Sequence, residues 1–196
     1  MSDPHPITMT VNGQQRSAIV EPRKTLADVL REDMRLTGTH LACEHGVCGA
    51  CTVLLDGEAV RSCLVFGVQA DGAEVTTVEG IAPAPGELSD VQAAFRDCHG
   101  LQCGFCTPGF VVSITAFLEK NPAPTDEEIR SGLSGNLCRC TGYTGIVNAV
   151  RQVVRERAGG PPNGGAPAGD QPSEGPPTQG VPTIAGHAVT TLPSAP

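Results

Sequence analysis

Cysteine placement constrains this chain more than any other feature. Nine of its 196 residues are cysteine, and they are grouped. Cys43, Cys48, Cys51 and Cys63 read C-x4-C-x2-C-x11-C. Cys98, Cys103 and Cys106 follow, and Cys138-Arg139-Cys140 closes the series. The polar N-terminus has neither an apolar signal core nor a twin arginine, so a cytoplasmic protein is expected. Disulfides are rare there, and clustered thiols point to metal ligation instead.

The first set suits a [2Fe-2S] cluster, which takes four thiolates, three of them from one tight loop. Such a loop must turn its backbone N–H groups toward sulfur, and Gly46 and Gly49 permit the positive φ angles this needs. The x4-then-x2 spacing is that of plant-type ferredoxins, although the fourth cysteine comes sooner than in those proteins. Structural zinc, usually held by paired C-x2-C knuckles, fits the spacing less well. His45 could suggest a Rieske centre, but no second paired histidine follows, so a solvated loop histidine is the better reading.

The second set joins the C-x2-C of Cys103 and Cys106 to the C-x-C of Cys138 and Cys140. Each pair precedes a helical pattern, and exposed N–H groups at a helix start stabilise thiolates. Cys98 competes, because Cys98, Cys103 and Cys106 repeat the C-x4-C-x2-C spacing. It also lies on an apolar stripe with Val91, Ala94 and Phe95, where a free cysteine acts as a small hydrophobe. Zinc is a stronger competitor here than at the first set.

Around these sets the chain changes period. Ile7, Met9 and Val11 alternate with polar residues, Asn12-Gly13 supplies a hairpin turn, and Ser17 to Val20 returns. Thr25 opens a helix with Leu26, Val29 and Leu30 on one face, and Asp28 serves as the capping partner. Thr52 to Leu55, Asp56-Gly57 and Glu58 to Arg61 form a second hairpin, and Val75 to Val78 a further strand. Four helical patterns follow: one through Val91 and Phe95, one from Pro108, one capped by Thr125 and Glu128 through Arg130, and one through Ile146 to Val154. The reading is α+β: a small sheet crossed by a helix, then a four-helix bundle, with a break at Ile81 to Glu87. From Gly159 the chain is rich in Gly and Pro and lacks Lys, Arg and aromatics, so a disordered tail is expected.

Composition excludes other classes. Acids outnumber bases 21 to 13, leaving no basic stripe for nucleic acid. Apolar runs are too short to cross a membrane. No G-x-G-x-x-G loop marks a nucleotide site.

Three stretches taken together resemble a known family. They are Cys43 to Val53, Gln102-Cys103-Gly104-Phe105-Cys106-Thr107-Pro108-Gly109, and Gly135-Asn136-Leu137-Cys138-Arg139-Cys140-Thr141-Gly142-Tyr143. In this order they resemble the small iron–sulfur subunit of the xanthine oxidase family of molybdenum hydroxylases, whose bacterial members include carbon monoxide, aldehyde and N-heterocycle dehydrogenases. The resemblance runs from about Ile7 to Arg157 and leaves the tail aside. It implies a β-grasp, ferredoxin-like [2Fe-2S] domain over 1–80 and a helical four-helix-bundle [2Fe-2S] domain over 81–158; the Gly/Pro-rich tail over 159–196 lies outside the family pattern.

The resemblance also implies ligand roles. Cys43, Cys48, Cys51 and Cys63 match the ligands of the ferredoxin-type cluster. Cys103, Cys106, Cys138 and Cys140 match those of the helical-domain cluster, which leaves Cys98 unassigned to metal. Gln102 matches a glutamine that hydrogen-bonds the molybdopterin cofactor, and Cys140 matches a ligand whose sulfur approaches the pterin. No catalytic residue is expected on this chain. Electrons would pass from molybdopterin, of cytosine dinucleotide type, in a large subunit through both clusters to FAD in a medium subunit, in an (LMS)2 assembly. The alternative is a stand-alone two-cluster carrier or zinc-binding adaptor, which would have no need of Gln102 beside Cys103.

Overall fold

The computed structural model describes residues 3–160. Strand β1 (His5–Val11) buries Ile7, Met9 and Val11 on one face, each no more than 1% exposed. It pairs antiparallel with β2 (Gln14–Val20), which begins earlier than its apolar residues suggest. The turn between them places Asn12 at φ 51° and Gly13 at φ 74°, the twist a two-residue hairpin needs. The same device, Asp56 at 50° and Gly57 at 82°, joins β3 (Thr52–Leu55) to β4 (Glu58–Arg61). Strand β5 (Glu74–Thr76) lies between the hairpins, parallel to β1 and antiparallel to β3. The sheet order is therefore β2-β1-β5-β3-β4.

Across the sheet lies α1 (Leu26–Asp28), continued by a wider π turn, Val29–Asp33. Thr25 caps it, accepting from the Asp28 N–H at 3.2 Å. Leu26, Val29 and Leu30 are fully buried against Ile7, Met9 and Val11 in the first core. Burying a side chain of this size contributes about 1.5–3 kcal/mol.

The strand expected through Val78 ends at Thr76, and a 3-10 turn occupies Val78–Gly80. Asn12 causes the change. Its Oδ1 accepts from Thr77 N at 2.9 Å and its Nδ2 donates to Thr77 Oγ1 at 3.0 Å, which diverts the chain from the ladder.

Four helices form the second half: α2 (Asp90–Asp97), α3 (Thr107–Lys120), α4 (Asp126–Leu133) and α5 (Tyr143–Arg157). α4 outruns its expected end at Arg130 because Leu133 completes the apolar stripe begun by Ile129. The Thr125–Glu128 capping box is present, and Ser89 with Gln92 forms a second one. Phe95, Phe110, Ile114, Ile146 and Val150 fill this second core. A third cluster, Leu54 with Val112 and Ala116, joins β3 to α3, so the described residues belong to one compact unit. Of the tail expected from 159 onward, all beyond Gly160 lies outside the described residues. No helix among the described residues is long and apolar enough to cross a membrane.

Candidate metal centres

The loop before β3 carries Cys43, Cys48 and Cys51. Glu44 (φ 56°), Gly46 (84°) and Gly49 (74°) give it the left-handed turns that aim N–H groups inward. The Cys48 N–H donates to Cys43 Sγ at 3.3 Å. Cys63 arrives from the turn after β4. Ser62, fully buried, sends both its hydroxyl (2.7 Å) and its N–H (3.3 Å) to the Cys51 carbonyl, which draws Cys63 beside Cys51.

The second set forms where two helices begin. Cys106 is the N-cap of α3, and Gly104 before it has φ 79°. Cys138 and Cys140 lie in the loop ahead of α5, where the Gly142 N–H donates to Cys138 Sγ at 3.4 Å. The single tyrosine holds this loop: the Tyr143 hydroxyl accepts from Cys138 N at 2.9 Å, and its ring packs edge-on to Phe110. The Sγ atoms of Cys103 and Cys140 are 3.4 Å apart.

The thiols are thus gathered two by two. Cys43 neighbours Cys48, Cys51 neighbours Cys63, Cys103 neighbours Cys140, and Cys106 neighbours Cys138. A two-iron core takes two protein ligands on each iron, and each set supplies two such pairs. No group of three His, Cys, Asp or Glu among the described residues is drawn close enough to hold a metal ion. The surroundings suit a sulfur-rich group as well. The Thr107 hydroxyl, next to Cys106, is buried without a hydrogen-bond partner, and a sulfur acceptor there would satisfy it.

The thiols differ in acidity for physical reasons. Backbone N–H groups of His45 and Cys48 pull Cys43 down to about 6. Cys103 is lowered by the Phe105 N–H and then by the Cys140 thiol. Burial, reinforced by Cys51, pushes Cys63 up to about 11, and burial with Cys138 beside it pushes Cys106 to about 12. At Cys140 the Cys103 backbone acts downward, but the Cys103 thiol and burial outweigh it. Metal is bound by thiolate, so loading either set would displace protons, chiefly from the buried members.

Cys98 stands apart from both sets. It is the C-cap of α2, donates to Gln152 Oε1 at 3.1 Å, and is raised by burial, with Arg155, Asp97 and Glu156 as its charged neighbours. Gln102 is exposed, and its Nε2 donates to the Cys140 carbonyl at 2.9 Å. His45 is exposed, with Nδ1 turned to the Cys43 carbonyl.

Spacing rules missed the residues that join the two sets. The Leu137 N–H donates to the Cys48 carbonyl at 2.9 Å. Asn136 Nδ2 donates to the Gly49 carbonyl at 3.0 Å. The Arg61 guanidinium reaches Thr52 Oγ1 at 2.8 Å and the Gly135 carbonyl at 2.5 Å. Gly109 in α3 lies so close to Gly49 that a Cβ there would overlap the Gly49 carbonyl. The one signal in the sequence was that Gly135 and Asn136 precede Cys138 within the same motif.

Comparison with known proteins places this geometry. Residues 9–79 match the model of a 2Fe-2S iron-sulfur cluster binding domain, and residues 77–151 match that of a [2Fe-2S] binding domain. The nicotine 6-hydroxylase small subunit of Paenarthrobacter nicotinovorans is 58% identical over 149 residues, covering 76% of this chain and 89% of its own. The caffeine dehydrogenase subunit gamma of Pseudomonas sp. (strain CBB1) is 53% identical over 152 residues, covering 76% and 90%. Among solved structures, a chain of quinoline 2-oxidoreductase from Pseudomonas putida 86 superposes with a TM-score of 0.76 at 49% identity, covering 80% of this chain and 97% of that one. The chain belongs to the small [2Fe-2S] subunits of the xanthine oxidase family of oxidoreductases.

Proposed function

We propose that this chain is the electron-transfer subunit of a molybdenum hydroxylase, with Cys43, Cys48, Cys51 and Cys63 holding one [2Fe-2S] cluster and Cys103, Cys106, Cys138 and Cys140 the other. The observation that carries this reading is the thiol pairing, two pairs in each of two sets that meet through the hydrogen bond between Leu137 and Cys48. When bound, each cluster takes up and returns one electron at a time. The chain's own residues supply the rest. Backbone N–H groups at Cys48 and Gly142 donate to cysteine sulfur. Burial of Cys51 and Cys63 excludes water from one side of the first set. Burial and sulfur hydrogen bonds are the levers that set a cluster's potential.

Gln102 is proposed to meet the pterin of a large partner subunit, because its exposed amide retains an acceptor and one N–H after bonding to Cys140. Cys140, on the same loop, would lie beside it. Exposed Leu101, Phe105, Leu137 and Tyr143 surround this loop and are suited to burial against that partner. A medium subunit with FAD would receive electrons from the first set, in an (LMS)2 assembly in the cytoplasm. The fold is proposed to be a β-grasp domain to about residue 80 followed by a four-helix bundle. Nicotine, caffeine and quinoline, named in the relatives, are nitrogen heterocycles, so the partner's substrate is proposed to be one too.

Native isolation tests the proposal. Two larger chains carrying molybdenum and flavin should accompany this one, with about four irons and two distinct EPR signals on reduction. A lone chain, or zinc in place of iron, overturns it.

A further inference from the structure

Asn136 sits in the loop between α4 and Cys138, yet it is only 3% exposed. Burying an amide is costly unless both of its ends are bonded. Here both are. Oδ1 accepts from Ser113 Oγ of α3 at 2.9 Å, and Nδ2 donates to the Gly49 carbonyl at 3.0 Å. Asn136 thus ties three parts together: the loop of the first cysteine set, the helix α3 that Cys106 caps, and the loop that carries Cys138 and Cys140.

The fit admits little slack. A Cβ on Gly49 would stand 2.6 Å from both Asn136 Nδ2 and the Gly135 carbonyl, at a φ of 74°. The Gly49 carbonyl also accepts from Thr52 N (3.2 Å) and Thr52 Oγ1 (2.6 Å), which fixes it against β3. Next to this junction one hydrogen bond, Leu137 N–H to the Cys48 carbonyl at 2.9 Å, joins a residue of the first set to the neighbour of Cys138 in the second. Asn136 and Leu137 grip consecutive carbonyls, those of Gly49 and Cys48, so Asn136 determines whether Leu137 stays in register.

We infer that Asn136 is a positioning residue for electron exchange between the two centres, holding the Cys48 and Leu137 backbones in contact. The inference rests on the ligand assignment proposed above. It makes Asn136 more than a stabilising residue, since electron exchange falls steeply with small increases in separation. The ion pair between Lys120 and Glu58 also joins α3 to β4 but touches neither loop, so it provides the contrast.

The experiment uses the intact native complex. Iron content and the two EPR signals of the unaltered protein come first, and fewer than about four irons overturns the ligand assignment itself. Asn136→Leu preserves bulk and removes both amide bonds. It should keep its iron and both signals. The magnetic interaction between the two reduced centres should weaken, and electron equilibration between them, followed after rapid one-electron reduction, should slow about tenfold. Lys120→Ala should change neither. Unchanged interaction and rate in Asn136→Leu overturn the inference, as does an equal slowing in Lys120→Ala. If Asn136→Leu loses iron, Asn136→Ser decides by the same readouts. Loss of iron in both variants also overturns the inference, because Asn136 would then serve cluster retention.

Discussion

At the scale of single residues, chemically alike side chains are separated by their surroundings. Nine thiols share one chemistry, yet eight are gathered two by two while Cys98 is bonded to Gln152. Cys98→Ala should therefore leave iron content and both EPR signals intact, and loss of either signal would refute that assignment. Cys103→Ala should abolish the signal of the second set and spare the first. Tyr143 holds the Cys138 backbone by one hydrogen bond. Tyr143→Phe should cost about 0.5–1.5 kcal/mol in thermal or denaturant unfolding, with iron retained. Spacing revealed the thiols because covalent connectivity fixes how far apart ligands in one loop can lie. It could not reveal Asn136 or Arg61, whose partners lie 87 and 74 residues away in the chain.

At the scale of elements, local signals were strong wherever the chain satisfies itself. The Asn12-Gly13 and Asp56-Gly57 turns and the Thr125–Glu128 box form within a few residues, and each is present. Thr125→Ala should destabilise the protein by about 1 kcal/mol in a thermal melt. The Glu128 carboxyl is held below its ordinary range, first by the Thr125 N–H and then by the Thr125 hydroxyl. A lowered folded value means that its stabilisation is present at neutral pH and fades as pH falls. The stability difference between the unaltered protein and Glu128→Gln should accordingly shrink below about pH 4. Local signals failed where a distant residue intervened, as at Thr77, which Asn12 draws out of the ladder across 65 positions. α3 depends on such a contact too. Gly109→Ala would press its first turn into Gly49 and should cost about 1–3 kcal/mol, readable as a fall in Tm.

At the scale of the whole molecule, two modest cores are joined by Leu54, Val112 and Ala116 and by the bonded loops of the two thiol sets. Each core centres on few large side chains, for the chain has five Phe, one Tyr and no Trp. Metal loading should therefore add to stability, because ligands scattered in the unfolded chain are organised only in the folded one. Removing iron with a chelator under reducing conditions should lower the unfolding temperature, and an unchanged melt would contradict this.

The sequence by itself determined the short cysteine groups C-x4-C-x2-C, C-x2-C and C-x-C, the turns, the caps and the apolar stripes, because each depends on neighbours close along the chain. Tertiary structure alone decided how the sets meet: Leu137 on Cys48, Asn136 on Gly49, and α3 laid against both through Gly109. Those contacts require the two halves to dock within hydrogen-bond distance. Docking is fixed by the summed shape of two cores, and no local spacing records it.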